Sequence, residues 1–474
     1  MSSPRKIVIV GAGITGLAAA YYVQKKAREK NLPIHLTLIE SENRLGGKVV
    51  THRENEFVIE GGPDSFVTDK PWGLQLTHEL GLADQLIPSS EDRKKIYVLR
   101  NGKLVEFPGG FRLTIPTQIM PFLKTKMISW PGKIRMGMDF IIPARKEDTD
   151  ESLADFIRRR LGSEALDRFA APLMAGIFVA DAEKLSMKAT FPTFLAMEKN
   201  HRSLMLAARY AKKNPPQRKE GAIKPAGNAM FNSFRKGMSV LTDELAKRIE
   251  GDIRLGTRIV SIARSGSGYT VEVDGAKPGK IEANSVLLTA QAYTCAELLA
   301  PLHGTLADKL REIRYVSTAT VSFTYLQTYI PSSRPLDGFG VMIPGSEKRK
   351  ILASTWSSTK FRHRAPPGTA LMRAFVGGHR NEALVELPDD QLVAMVRKEY
   401  EELFDITAEP MLHRIFRWPR GNPQYDVGHL NRIAEIEKNV SELPGIFLAG
   451  SAFRGIGLPD CIHSAQLAAE KIIA

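Results

Sequence analysis

Cysteine is nearly missing from this chain of 474 residues: only Cys295 and Cys461 occur, and neither sits in a C-x-x-C. That excludes a disulfide framework or a cysteine zinc site and fits a reducing, cytoplasmic compartment. The ten histidines show no H-E-x-x-H or other ligand spacing, so no metal chemistry is expected. There is no G-x-S-x-G and no P-loop. Long apolar runs are lacking too. Glycines interrupt Ile7 to Val23, and Phe169 to Ala180 is too short to span a bilayer and lies between Arg168 and Asp181. Arg5 and Lys6, with Ala18-Ala19-Ala20 further on, imitate a signal peptide. A second apolar strand follows shortly, and a buried strand-turn-helix accounts for the pattern better. No internal repeat is present.

Hydrophobic residues make up 43% and charged residues 25%, an ordinary globular composition. A single core rarely grows beyond about 250–300 residues, so at least two domains are expected. The formal net charge is +14. It fits plain solubility, an anionic substrate or an anionic membrane surface. No nucleic-acid motif accompanies it, so nucleic acid is not expected as a partner.

The first forty residues read as β-α-β. Ile7-Val8-Ile9-Val10 suits a strand buried on both faces, and Ile14 to Glu29 suits a helix ending in Lys and Arg. Leu36 to Ile39 is the second strand, closed by Glu40. Between strand and helix stands Gly11-Ala12-Gly13-Ile14-Thr15-Gly16, a G-x-G-x-x-G. The first glycine permits the tight turn, the second leaves room for a pyrophosphate, and the third lets helix and strand pack closely. Free N–H groups at the helix start meet phosphate oxygens, and the helix dipole adds about 0.3–1 kcal/mol. Glu40 ends the second strand, where a carboxylate accepts hydrogen bonds from ribose hydroxyls. Dinucleotide binding follows, and NAD and FAD both fit so far.

The next residues separate the two. Arg44-Leu45-Gly46-Gly47-Lys48 and Glu60-Gly61-Gly62-Pro63-Asp64-Ser65 resemble the R-x-G-G extension of FAD enzymes of the amine-oxidase and protoporphyrinogen-oxidase superfamily. Arg44 and Lys48 can neutralise a pyrophosphate, and the glycine pairs bring backbone N–H groups close to it. Near the C-terminus, Ile446 to Gly450 and then Gly455-Ile456-Gly457-Leu458-Pro459-Asp460-Cys461-Ile462 make a strand, a glycine-rich turn and a helix start. A helix N-terminus there stabilises negative charge on the N1–O2 side of a reduced flavin.

That turn, with Glu60 to Phe66, Pro172 to Asp181 and Pro423 to His429, resembles the protoporphyrinogen and coproporphyrinogen oxidase family over essentially the whole chain. The likeness is greatest to the soluble oxidases of Gram-positive bacteria that convert coproporphyrinogen III to coproporphyrin III. The resemblance implies an α/β fold: a two-dinucleotide-binding (Rossmann-like) FAD domain, an α+β substrate domain and a helical insertion. The expected boundaries are 1–50, 225–290 and 430–474 for FAD, 51–107 and 291–429 for substrate, and 108–224 for the helices, which touch membranes in some relatives. It implies FAD contacts from Gly11 to Gly16, Glu40, Ser41, Arg44, Gly47, Lys48, Gly62, Pro63, Asp64, Ser65 and Gly450. Ile259 would hold adenine through its backbone, and Trp418, Gly455, Ile456, Gly457 and Leu458 would lie near the isoalloxazine. Gly176 matches a family glycine on the substrate side, with helix packing as the competing reading. No S-G-G-C is present, so non-covalent FAD is expected.

The implied activity is oxidation of a porphyrinogen by oxygen with release of hydrogen peroxide, in haem biosynthesis. No side chain stands out as a general base. Protoporphyrinogen IX as substrate, another flavin oxidase acting on amines or polyenes, and an FAD-containing scaffold or electron carrier remain alternatives, and a ferrochelatase remains open as a partner. Coproporphyrinogen carries four propionates, and Lys70 is the cation expected to reach one of them, with a surface lysine as the competing reading. Phe122, Met127, Ile128 and Trp130 are expected to form an apolar face beside Lys124, Lys126 and Lys133. A basic run from Lys199 through Arg218 and Lys219 to Lys224 accompanies it. Reversible attachment to an anionic membrane is one reading; a solvated face over a substrate tunnel is the favoured one.

Overall fold

The computed structural model describes residues 3–112, 114–116, 118–177, 179–214, 223–227 and 229–474. The expected loop Asn214 to Asn228, with Arg218 and Lys219, therefore lies largely outside the described residues. The chain forms two compact units, each discontinuous in sequence. The first holds Met1–Ser89, Ile223–Arg314 and Leu430–Ala474, and the second Ser90–Ala222 and Tyr315–His429. Of the three regions expected, residues 51–89 and 291–314 group with the first unit, and the helical insertion groups with the second.

The first unit is built on a parallel five-stranded sheet. β1 (Arg5–Val10), α1 (Ile14–Glu29) and β2 (Ile34–Ile39) form the predicted β-α-β, with Ile7 to Val10 paired to Leu36 to Ile39. Three short strands from far along the chain complete it. β3 (Asp252–Arg254) pairs with β2, β4 (Ser285–Leu288) with β1, and β5 (Ile446–Leu448) with β4, all parallel. β1 is thus central, which explains its unbroken apolar run: Ile7, Val8 and Ile9 are at most 1% exposed. α1 packs along α2 (Leu458–Ile473). The small residues Ala18, Ala19 and Ala20 on one helix and Ala465, Ala468 and Ala469 on the other are buried in the same core and permit close approach.

The second unit centres on a seven-stranded sheet. Its order is Leu412–Pro423, Tyr315–Leu326, Thr369–Gly377, Ile351–Trp356, Gly338–Met342, Lys95–Arg100, Lys103–Glu106. Only the pairing of Gly338–Met342 with Lys95–Arg100 is parallel. Helix Asp389–Phe404 lays Leu392, Val396, Tyr400 and Leu403 on Val321, Phe323 and Met372. The alternating pattern of the strands and the 3.6-residue pattern of the helix meet in one core.

The helical segment belongs to this unit and is stitched by buried ion pairs. Arg160 and Asp139 are both fully buried and bonded, with Arg160 Nε 2.8 Å from Asp139 Oδ1. Ser203 and the Met205 N–H satisfy the other carboxylate oxygen, and the Arg202 carbonyl accepts from Arg160 at 2.7 Å. The segment is mostly helical, with two short strands, Phe111–Arg112 and Ile115–Pro116, paired at its start. The expected apolar face is corrected. Met127 and Ile128 are buried at 1% and 3%, because they pack inward, while Trp130 is 65% exposed. Among the described residues no helix is long and apolar enough to cross a membrane.

Candidate functional site

The glycine turn after β1 is closed by main-chain bonds on both sides. The Gly11 N–H donates to the Ile39 carbonyl at 2.8 Å, and the Gly46 N–H to the Ala12 carbonyl at 2.8 Å. Gly11 has φ +92°, in the region that favours glycine. A Cβ on Gly16 would lie 1.8 Å from the Gly11 carbonyl oxygen, so close packing forbids any side chain there. Gly13 is the N-cap of α1, with no capping side chain and no acidic residue in the first turn. The N–H groups at this helix start are left without a capping side chain, and with the helix dipole they suit an anion.

Glu40 lies beside the turn. One carboxylate oxygen accepts the Ala12 N–H at 2.8 Å; the other accepts the Glu42 N–H at 2.9 Å and the Ser41 hydroxyl at 3.2 Å. Thr257 donates to the Glu40 carbonyl at 2.9 Å, which anchors the strand carrying Ile259 at the same place. A bulge between Ile259 and Ser261 breaks that strand's ladder next to Ile259.

The second glycine pair sits against the first. Gly13 bridges to Gly46, and a Cβ on Gly47 would lie 2.9 Å from Gly13 Cα. Arg44 is turned onto its own loop, bonding the Gly47 carbonyl at 2.7 Å and Glu42 at 2.9 Å, so it braces the loop. Lys48 is half-buried, and burial pushes its ammonium pKa below the ordinary value. Gly62 crosses over this segment so closely that a Cβ would meet the Lys48 carbonyl oxygen at 1.9 Å. The next residues are held by Ser65 bonding Asp64 at 2.7 Å and Ser233 bonding the Asp64 carbonyl at 2.7 Å; Pro63 joins them to Gly62.

α2 brings the C-terminal turn to the same region. A Cβ on Gly450 would touch the Thr15 side chain at 3.8 Å. Gly457 caps α2, and Asp460 at its third position accepts the Gly457 N–H at 3.2 Å. Gly455, Ile456 and Leu458 complete this turn, with Gly455 at φ +152°. Cys461 is buried and its thiol is pushed up to about 11, chiefly by desolvation, which fits a structural thiol. Lys70, the cation expected to reach a propionate, bonds both carboxylate oxygens of Asp460 at 2.7 Å.

Gly11 to Gly16, Glu40, Ser41, Arg44, Gly47, Lys48, Gly62 to Ser65, Ile259, Gly450 and Gly455 to Leu458 thus all fall in the first unit. Trp418, opposite Thr318 on a sheet strand, and Gly176 belong to the second. A Cβ on Gly176 would meet Met342 and Ala353 at 3.6–4.0 Å, ordinary packing of a helix on the sheet. Sequence reasoning missed Thr289, whose hydroxyl donates to the carbonyls of Val10 and Gly11 at 2.8 and 2.9 Å and seals the turn from behind. It also missed that Glu60 is a buried brace, accepting from the Met238 N–H and Thr51.

An uncapped helix start, a carboxylate closing β2, a desolvated lysine and glycines with no room for a side chain fit the two phosphates and the ribose of FAD. A parallel sheet with this turn, completed by a C-terminal strand and helix, defines a flavin-dependent oxidoreductase with FAD as cofactor. The chain belongs to the flavin containing amine oxidoreductase family, which matches residues 14–473. It is 37% identical to the coproporphyrinogen III oxidase of Bacillus subtilis (strain 168), over 99% of this chain and 98% of that protein. It is 29% identical to the chloroplastic protoporphyrinogen oxidase of Nicotiana tabacum, over 98% and 85%. A solved structure from Exiguobacterium sp. 255-15, provisionally named a protoporphyrinogen oxidase, superposes with a TM-score of 0.87 at 34% identity, covering 100% and 99% of the two chains.

Proposed function

We propose that this protein oxidises coproporphyrinogen III to coproporphyrin III, with oxygen as final acceptor and hydrogen peroxide as product, in the cytoplasm. The observation that carries the reading is end-to-end kinship at 37% identity with a protein of that name, against 29% with the plant protoporphyrinogen oxidase. The glycine turn Gly455 to Leu458, capping α2 beside the Gly11 turn, supports a flavin site made by one unit.

In this reading the start of α1, with Gly11 and Gly13, takes the pyrophosphate of a non-covalently held FAD, and Lys48 balances its charge. Glu40 accepts the ribose hydroxyls, the backbone at Ile259 takes the adenine, and Gly455 to Leu458 flank the isoalloxazine. When bound, FAD supplies the acceptor for two electrons at a time and passes them to oxygen. The substrate loses six hydrogens in three such steps. At each, a saturated meso carbon gives up a hydride, the pyrrole nitrogen lone pairs stabilise the cation, and loss of a proton restores conjugation. The chain contributes placement and fixed dipoles.

Parallel fluorescence assays of the two porphyrinogens under one set of conditions test the assignment. The expected outcome is a higher kcat/KM for coproporphyrinogen III. Tenfold better turnover of protoporphyrinogen IX moves the protein to the sister activity. Peroxide formed from an amine with no fluorescent product moves it to the amine oxidases.

A second reading concerns where the enzyme works. We propose reversible attachment to an anionic membrane through the helical segment. Trp130, Ile134 and Ile141 are more than 60% exposed there, and Met120, Met138, Phe140 and Tyr210 more than 40%. Lys124, Lys126, Arg202, Arg209, Lys212 and Lys213 are exposed on the same stretch.

A further inference from the structure

Lys70 precedes helix Pro71–Glu79 in extended conformation, at φ −97° and ψ 120°. Its partner Asp460 is only 12% exposed and stands in the first turn of α2. The glycine turn is folded around that carboxylate. A Cβ on Gly455 would lie 2.4 Å from Asp460 Cβ, and one on Gly457 would lie 3.0 Å from Asp460 Oδ2. Asp460 thus does two things at once. It fixes the turn through the Gly457 N–H, and it places a negative charge among the donors that would otherwise stabilise negative charge on a reduced flavin. Lys70, 43% exposed and with its ammonium on both oxygens, cancels that charge from the solvent side. Asp460 takes two of the three ammonium donors, so a propionate reaching for Lys70 would find only the third, beside a carboxylate of its own sign.

We infer that Lys70 is a positioning residue which, by neutralising Asp460, holds the Gly455 to Leu458 turn and sets the reduction potential of the bound flavin, instead of binding a substrate carboxylate. The inference rests on the flavin site proposed above. It makes the pair Lys70–Asp460 an electrostatic trim: deleting the cation makes reduction harder, deleting the anion makes it easier, and deleting both restores the starting value.

The test is a spectroscopic redox titration of the purified holoenzyme and of Lys70→Met, Asp460→Asn and the double variant. Lys70→Met is expected to raise the oxidised-to-reduced ratio at a fixed poise about tenfold, a fall of about 30 mV for a two-electron couple. Asp460→Asn is expected to shift it the other way, and the double variant to return within threefold of the parent. Lys70→Arg should keep the parent value. A purely structural pair would change melting temperature and FAD affinity while leaving the potential in place, and that result overturns the inference. So does a raised KM for coproporphyrinogen in Lys70→Met at unchanged potential, which assigns the lysine to substrate. If Lys70→Met does not hold FAD, Asp460→Asn alone decides, and an unmoved potential in it is equally fatal. Should the parent protein carry no FAD, the flavin site itself is refuted, a failure distinct from an unmoved potential in flavin-loaded variants.

Discussion

At the scale of single residues, the cofactor site is set by what is left out. A methyl group on Gly16 has nowhere to go, since 1.8 Å from a carbonyl oxygen is far inside contact distance. Gly16→Ala is therefore expected to purify colourless, or to be lost on folding, with FAD content by absorbance and by release on denaturation falling at least tenfold. Gly176→Ala is the control, because its added methyl meets only ordinary contacts with Met342 and Ala353, and it should retain FAD like the parent. A yellow Gly16→Ala protein with normal FAD content would remove the turn from the cofactor site. These glycines were legible in the sequence because their spacing alone encodes the turn. Thr289 was not, because it is 278 residues from the Gly11 carbonyl it seals, and only the β1–β4 pairing brings it there. Lys70 shows the same limit: its place before a helix was legible, but its partner 390 residues away was not.

At the scale of elements, periodicity gave β1, α1 and the turn between them, with α1 spanning the predicted Ile14–Glu29. It did less well where burial depends on a distant neighbour. Met127 and Ile128 look like one side of an amphipathic face in sequence, yet both are buried. The helical segment instead leans on a polar device that no hydrophobic pattern announces, the buried Arg160–Asp139 pair. Removing one partner of such a pair leaves an uncompensated buried charge, at a cost of about 3–5 kcal/mol. Arg160→Met should accordingly lower the melting temperature of the unit containing it, measured by calorimetry. Arg160→Met with Asp139→Leu should recover only part of the loss, because the lone charge is gone but the Met205 N–H and the Arg202 carbonyl lose their partners. A neighbouring network adds pH dependence. Burial pushes the Glu198 carboxyl up, but the hydrogen bond and charge of Arg159 more than offset this, and its pKa lies below the ordinary value. A depressed carboxyl stabilises above its unfolded pKa, about 4.3, and that contribution is lost as pH falls through the folded value. Arg159→Met should flatten the acid limb of the melting curve below that pH.

At the scale of the whole molecule, the net charge of +14 takes on meaning through its distribution. A uniformly spread excess would only solubilise. Here exposed cations of the helical segment lie on the same short stretches as its exposed apolar side chains, and the stretches are tied together. Lys133 bonds the Leu123 carbonyl at 2.7 Å, and Arg202 bonds the Phe140 carbonyl at 2.7 Å. That combination suits an anionic lipid surface, where each Lys or Arg near the headgroups contributes about 1 kcal/mol and inserted Trp and Ile side chains add burial energy. Neither term suffices alone: the cations are screened by salt, and the apolar side chains are few. Sedimentation with vesicles at low salt tests the proposal. More protein should pellet with anionic than with zwitterionic vesicles, and raising the salt should release it. Trp130→Ser with Ile134→Ser should cut the bound fraction at least tenfold without loss of FAD or solution activity, because neither residue belongs to the unit that carries the Gly11 turn. Equal recovery in the supernatant with both vesicle types removes the membrane from the account. The charge would then belong to a solvated face, and the exposed Trp130 would need another partner.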